Sequence, residues 1–286
     1  MSARPLPAPA EPDARARVQL GLTHALLIVW AAVMVFPFLW MLATSLKPAP
    51  EILAFPPHLL PRAPTLVNYA RAFATAPFAR FFLNSLVVAA VSTAVIVATS
   101  TVAGYVFGKF RFPGDTAIFM LFLATAILPL ETYMVPLYLT MRDWHWINTY
   151  PGLAAPYLVM SFGVFIMRQY FRTALPDELL DAARIDGASE WRIFLRIAAP
   201  AATSAMAAVA IFAAIQAWTG FIWPLIIASS QDMYTMEVGL AFFQQRYTVD
   251  YGAITAGATV SAAPIIAVFL FFRRHITEGI AFTGFR

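Results

Sequence analysis

Long apolar runs recur along this chain of 286 residues, and they restrict its fold more than any single motif does. Crossing the hydrocarbon core of a bilayer takes a helix of about 20 mostly apolar residues. Six segments meet that length: Gly21–Ala43, Phe81–Phe107, Thr116–Leu139, Gly152–Tyr170, Ala201–Ile227 and Tyr251–Phe272. The expected fold class is therefore all-α and integral to a membrane, with six transmembrane helices whose ends are set to about 2–4 residues. Composition leads the same way. Hydrophobic residues make up 60% of the chain and charged ones 12%, with a mean hydropathy of +0.71, too apolar for an ordinary soluble domain. The first run follows Arg15 and Arg17 and ends in small residues at Ala43, Thr44 and Ser45, as a secretory signal can. Its apolar stretch exceeds the ~7–15 residues of such a signal, and five more runs follow, so it reads as a retained anchor.

Lys and Arg in the connections set the expected orientation, because cytoplasmic connections carry an excess of them. Thirteen lie before the first run, in the second and fourth connections, or after the last run: Arg4, Arg15, Arg17, Lys109, Arg111, Arg168, Arg172, Arg184, Arg192, Arg196, Arg273, Arg274 and Arg286. Six lie on the opposite side: Lys47, Arg62, Arg71, Arg80, Arg142 and Arg246. Both termini are thus expected in the cytoplasm. Residues 1–20, rich in Ala, Pro and Arg, read as a disordered cytoplasmic tail. Residues 21–275 form one six-helix domain without internal repeats, and residues 276–286 a second cytoplasmic tail. The connection Thr44–Arg80 holds seven prolines and is expected to be irregular, apart from a short interfacial helix over Leu66–Phe73. Small residues spaced in fours permit close helix approach: Ala201, Ala205, Ala213 and Ala217 in the fifth run, Ala253, Gly257 and Ser261 in the sixth. Packing within the chain and packing against a second membrane subunit both satisfy that pattern.

Several functions are excluded or weakened. A net charge of +4 and a pI near 9.5 invite nucleic acid, but the basic residues sit between apolar runs rather than in a stripe or tail. Zero cysteines remove disulfides, thiolate zinc sites and a cysteine nucleophile. His24, His58, His145 and His275 lie far apart, without metal-ligand spacing. An intramembrane enzyme would need a nucleophile–base set at one depth. The spans offer Ser161, Ser204, Ser261 and Glu131, but only His24 lies within one, near its edge. A self-sufficient carrier would often show inverted repeats, which are not evident.

The segment Leu175–Pro200 packs eight charged residues between two apolar runs, on the side expected to be cytoplasmic. Pro176 suits a helix start, and Asp177 with Glu178 favours the positive helix end. Leu179, Ala182, Ala183 and Ile185–Asp186 recur at helical spacing as an apolar face, with Asp177, Asp181 and Arg184 on another. Gly187 is placed to end this helix in a left-handed conformation. Ser189 can then cap a second helix whose apolar face is Trp191, Phe194 and Ile197. Pro200 marks the entry to the fifth span. Such a device either docks a soluble partner or rests its apolar side on the bilayer.

The same segment resembles the signature loop of permease subunits of bacterial ATP-binding-cassette importers, in which Glu-Ala-Ala, three residues and Gly precede an Ile-x-x-Pro-like end. Here it reads Asp181-Ala182-Ala183, Arg184-Ile185-Asp186, Gly187, then Ile197-Ala198-Ala199-Pro200. Asp186–Ala188 and Leu175–Leu179 resemble the carbohydrate-uptake branch, and Phe82–Ser85, Lys109–Gly114, Leu128–Tyr138, Ile147–Leu153, Trp223–Leu225 and His275–Ile280 extend the likeness. The type it is most similar to is the maltose-transporter permease. Three features depart from the pattern: Asp181 in place of Glu, Thr219 and Gly220 after Trp218, and the ending Ala281–Arg286.

The resemblance implies that Asp181, Ala182, Ala183, Asp186, Gly187 and Pro200 couple the chain to a cytoplasmic ATPase dimer. It implies three protein partners: that ATPase, a second homologous permease subunit and an extracytoplasmic sugar-binding protein. Membrane lipid surrounds the assembly, and nucleic acid has no part in it. Without any GxxxxGK[ST] phosphate loop, the chain binds no cofactor or metal, and ATP and Mg belong to the ATPase. The cargo implied is a sugar, with a polyol or glycerol phosphate as the alternative. For the substrate path the candidates are Glu131, Gln216, Trp218 and Asn84, with Trp223 nearby. A carboxylate inside a span is a functional candidate by default, and Glu131 and Gln216 lie roughly 24 Å from the inner ends of their helices at 1.5 Å per residue. Interfacial anchoring for the tryptophans and interhelical bonding for Asn84 are the bland alternatives.

Overall fold

Lipid offers backbone N–H and C=O groups no partners, so segments within it must satisfy those groups internally. In the computed structural model, which describes residues 14–246 and 250–281, every regular element is helical. The long helix α1 (Ala14–Ser45) leads into a connection with α2 (Ala49–Ile52) and α3 (Val67–Thr75), followed by α4 (Phe78–Lys109). Then come α5 (Asp115–Ala124), α6 (Leu130–Asp143), α7 (Tyr150–Ala154) and α8 (Ser161–Ala174). The charged segment forms α9 (Asp177–Ile185), α10 (Glu190–Ile193) and α11 (Ala199–Ala201). The chain closes with α12 (Thr203–Trp218), α13 (Ile222–Ile227), α14 (Met236–Arg246) and α15 (Tyr251–Ala281).

Among the described residues, three stretches are long and apolar enough to cross a membrane unbroken: Val18–Ser45, Phe78–Lys109 and Tyr251–Phe271. The three middle runs are bent instead. Asp115–Ile127 meets Leu130–Asp143 at 98°, Tyr150–Tyr157 meets Ser161–Ala174 at 52°, and Glu190–Ala201 meets Thr203–Trp218 at 75°. The first break has a local cause: Pro129 forces Leu128 out of the helical region, to φ −74° and ψ 116°. The third run is therefore two helices at nearly a right angle. Pro136, inside α6, leaves that helix unbroken.

Other boundaries also move. Residues 14–20, expected in the tail, are helical, and α15 runs past residue 275 to Ala281; residues 1–13 and 282–286 lie outside the described residues. The fifth run ends at Trp218, and Ile222–Ile227 forms a separate helix. Between them Gly220 faces Tyr157, whose hydroxyl would lie 2.2 Å from any added Cβ.

The small residues resolve toward packing within the chain. Ala205, Ala213, Ala217, Ala253 and Ser261 are buried, whereas Ala201 is exposed. A closer approach lies between α4 and α8, where a Cβ on Gly104 would meet the Met167 Cβ at 2.4 Å. By contrast α1 is exposed on all sides from Val18 to Leu39. The connection after it is mostly irregular, as its prolines imply, but it is held. Buried Lys47 donates to the His58 carbonyl at 2.6 Å and stands 4.4 Å from the Trp40 ring centre. Buried Asn68 donates to the Ser45 and Lys47 carbonyls.

Candidate coupling loop and translocation path

The charged segment forms a rigid bend. Pro176 is the cap residue rather than the first helical one, and Asp177 and Glu178 occupy the first turn of α9. At the far end Gly187 has φ +79°. Its N–H donates to the Arg184 carbonyl, and the Ala188 N–H to the Ala183 carbonyl, both at 3.0 Å. Those two bonds make the full Schellman closure. An added Cβ at Gly187 would meet nothing within 4 Å, so the backbone angle alone calls for glycine. Ser189 sits at the cap of α10, though its side chain makes no capping bond. The chain then widens into a π-turn over Phe194–Ala198, with the Ala199 N–H donating to the Phe194 carbonyl. Pro200 lacks the N–H that would reach Arg196, which accounts for the irregular turn before it.

The side facing the protein differs from the apolar face read in the sequence. Leu180, Ile193, Phe194 and Ala198 are buried against Tyr105, Met167 and Phe171. Leu179, Ala182, Ile185, Asp186 and Trp191 face outward, with Ile185 86% exposed and Trp191 66%. Large apolar groups left bare beside charges mark an interaction surface. Asp181 lies on this surface with its carboxylate bonded by Arg184 Nη1 at 2.7 Å, while Arg184 Nε reaches Glu190 Oε1 at 2.7 Å. One guanidinium thus bridges α9 and α10 across Gly187. The bonds to Glu190 and then Asp181 hold Arg184 above its ordinary pKa.

The path candidates separate into two groups. Glu131 is exposed in the first turn of α6, just past the 98° break, where an acid complements the helix N-terminus. A straight-axis depth therefore does not apply to it. Gln216 is exposed near the end of α12. Asn84 and Trp218 are committed internally. Buried Asn84 donates to the Asp232 and Tyr234 carbonyls at 2.7 and 2.9 Å and accepts from the Tyr150 hydroxyl at 2.7 Å. Trp218 is buried, its indole N–H on the Ser261 carbonyl at 3.1 Å and its ring edge-on to Phe82. Trp223 is likewise buried and donates to the Gly152 carbonyl at 2.8 Å.

Comparison with known proteins gives this arrangement a family. Residues 100–281 match the model of the family described as binding-protein-dependent transport system inner membrane component. The diacetylchitobiose uptake system permease protein of Streptomyces coelicolor is 35% identical over 93% of this chain and 89% of its own length. The arabinooligosaccharides transport system permease protein of Bacillus subtilis is 34% identical, over 87% and 89%. The chain belongs to this family of inner membrane transport components. A chain of a bacterial ABC transporter involved in alginate import shares the fold, with a TM-score of 0.78 at 20% identity, covering 93% of this chain and 99% of that one.

The matched region of this transport component contains the whole charged loop, Glu131, Gln216 and Trp218, while Asn84 precedes it. It also contains two groups that sequence patterns left unmarked. Lys109, read in the sequence only for topology and family likeness, has a nearly covered side chain that bonds the Leu175 carbonyl and Asp177 at the start of α9. Glu237, between the fifth and sixth runs, is half-buried and accepts from Ser261 Oγ at 2.8 Å. Its position outside any apolar run hid it, since only the fold brings α14 against α15.

Proposed function

We propose that the chain is the transmembrane permease subunit of a binding-protein-dependent importer, with a carbohydrate as cargo. Its bent middle helices each cross once, which makes six spans with both termini cytoplasmic, in keeping with the Lys and Arg distribution. The α9–α10 loop then lies on the cytoplasmic side, where it docks on an ATPase dimer that binds ATP and Mg. A second, homologous permease completes the path, and an extracytoplasmic binding protein delivers the sugar. The chain itself is non-catalytic. Relatives named for diacetylchitobiose and arabinooligosaccharides support the cargo class.

The observation that carries the coupling role is the outward face of the loop. A folded, hydrogen-bonded bend presents Asp181, Ala182 and Asp186 to solvent beside bare Ile185 and Trp191. Ala182, exposed on the same face, allows close approach of a partner surface; Ala183, expected to do the same, packs instead against the core beneath the loop, and Gly187 holds the angle between the helices. Glu131 and Gln216 are proposed to face the sugar path, because their side chains are exposed, Glu131 just past the 98° break and Gln216 near the end of α12. Asn84 and Trp218 instead shape the wall behind it.

Two substitutions test the coupling role. Gly187→Pro fixes φ near −65° where +79° is needed and removes the bond to Arg184. Asp181→Ala removes the exposed carboxylate. Both subunits should insert and assemble normally, while binding-protein-stimulated ATP hydrolysis and uptake fall sharply in the reconstituted complex. Normal uptake by both variants would defeat the coupling role.

A further inference from the structure

Lys109 is the last residue of α4, and its side chain is only 4% exposed. Its ammonium donates to the Leu175 carbonyl and to Asp177 Oδ1. Leu175 is the extended residue between α8 and α9, and Asp177 opens α9. A cation favours the C-terminus of α4 but opposes the N-terminus of α9. Stabilising α9 by itself therefore does not explain this placement. The same end of α4 also reaches α10, since Tyr105 lies beside Glu190, which holds Arg184 and through it Asp181. Burial of Leu180, Ile193 and Phe194 fixes how closely the loop sits on the body, but apolar burial is non-directional. Hydrogen bonds from a buried ammonium are directional, and losing one partner of such a group is costly.

We propose that Lys109 is a positioning residue that sets the rotation of α9 relative to α4, so that Asp181 and Ala182 meet the ATPase at the productive angle. This rests on the importer reading above. Loop and helix end are joined by one charged strap in addition to the covalent link through α8. α8 is itself locked to α4, where Gly104 admits Met167 and Gly108 admits Phe171.

The test uses the full complex: this chain with its cognate ATPase, second permease and binding protein. Lys109→Met should co-purify with the ATPase and leave the basal rate and KM for ATP unchanged. Its binding-protein-stimulated rate should fall about tenfold, the scale of one lost hydrogen bond to a charged group, and Lys109→Arg should recover most of it. A second variant carries Lys109→Cys and Asp177→Cys, introducing the chain's first thiols. A reductant-cleavable bis-thiosulfonate linker of about the lysine's length should restore stimulation, and reductant should abolish it. Full stimulation in Lys109→Met overturns the proposal. So does a tethered double variant that stays uncoupled, and this arm decides even if Lys109→Met fails to assemble. Failure of the unaltered chain to associate with an ATPase would overturn the importer reading instead.

Discussion

Replacing Gly104 by Ala should push apart α4 and α8, the two helices on which the α9–α10 loop packs. An added Cβ would lie 2.4 Å from the Met167 Cβ, 2.8 Å from the Arg168 nitrogen and 2.9 Å from the Met167 carbonyl carbon. Two of those three atoms are backbone, so no rotamer change relieves the conflict and α8 itself must retreat. Overpacking of this kind costs about 1–3 kcal/mol, and the backbone clash puts it near 3. The gain in helix propensity from Gly to Ala returns about 1, leaving about 2 kcal/mol of destabilisation. Gly108 is the internal control. There the Cβ would meet the Phe171 Cβ at 3.0 Å and the Arg168 oxygen at 3.4 Å, a strain of a few tenths of an ångström that the propensity gain offsets, so Gly108→Ala should be about neutral. Thermal unfolding of the purified subunit in one detergent, followed by intrinsic fluorescence, compares the two. A Gly104→Ala protein that melts with the parent, or a pair of variants that fall equally, would refute the close-approach argument.

Two further outcomes follow from polar contacts. Asn84→Ala strands the Tyr234 carbonyl and the Tyr150 hydroxyl, while Arg80 Nε still reaches the Asp232 carbonyl at 3.2 Å, which should cost about 2 kcal/mol or more at roughly 1–3 per unsatisfied group. Unchanged melting with weakened transport would instead make Asn84 a ligand contact. Lys109 holds the Asp177 carboxyl below its usual value of 3.8. A depressed folded pKa stabilises above the unfolded value, and that stabilisation is lost as pH falls through the folded one. Hydrogen-exchange protection of Asp177–Gly187 should therefore be flat from neutral pH down to about 4 and drop only below the usual carboxylate range. Loss already between pH 6 and pH 5 would contradict this assignment.

Much of the charged α9–α10 loop was legible in order along the chain. Gly187 announced a left-handed stop, and the φ of +79° with both Schellman bonds follows from short-range rules. Which face is buried was not legible. Leu179 and Leu180 are adjacent and equally apolar, yet Leu180 is buried and Leu179 half exposed; the choice depends on where Tyr105 and Phe171 stand. Asn84 and Trp218 illustrate the same gap. Polar or aromatic groups within apolar runs suggest a ligand, but carbonyls of Asp232, Tyr234 and Ser261, remote in sequence, already satisfy them.

Membrane character and the all-helical class followed from the amino acids alone, because hydrocarbon thickness sets a run length and lipid leaves backbone groups only internal partners. The family was readable for a similar reason, since its loop is a contiguous string whose caps and turns are local. Tertiary structure decided the rest. It turned three of six apolar runs into bent pairs and directed the small-residue rows inward. It also placed Lys109 against a loop that begins 66 residues later. Hydropathy registers how much apolar surface a segment has, whereas the direction of each face and the partner of each buried charge arise only when the helices meet.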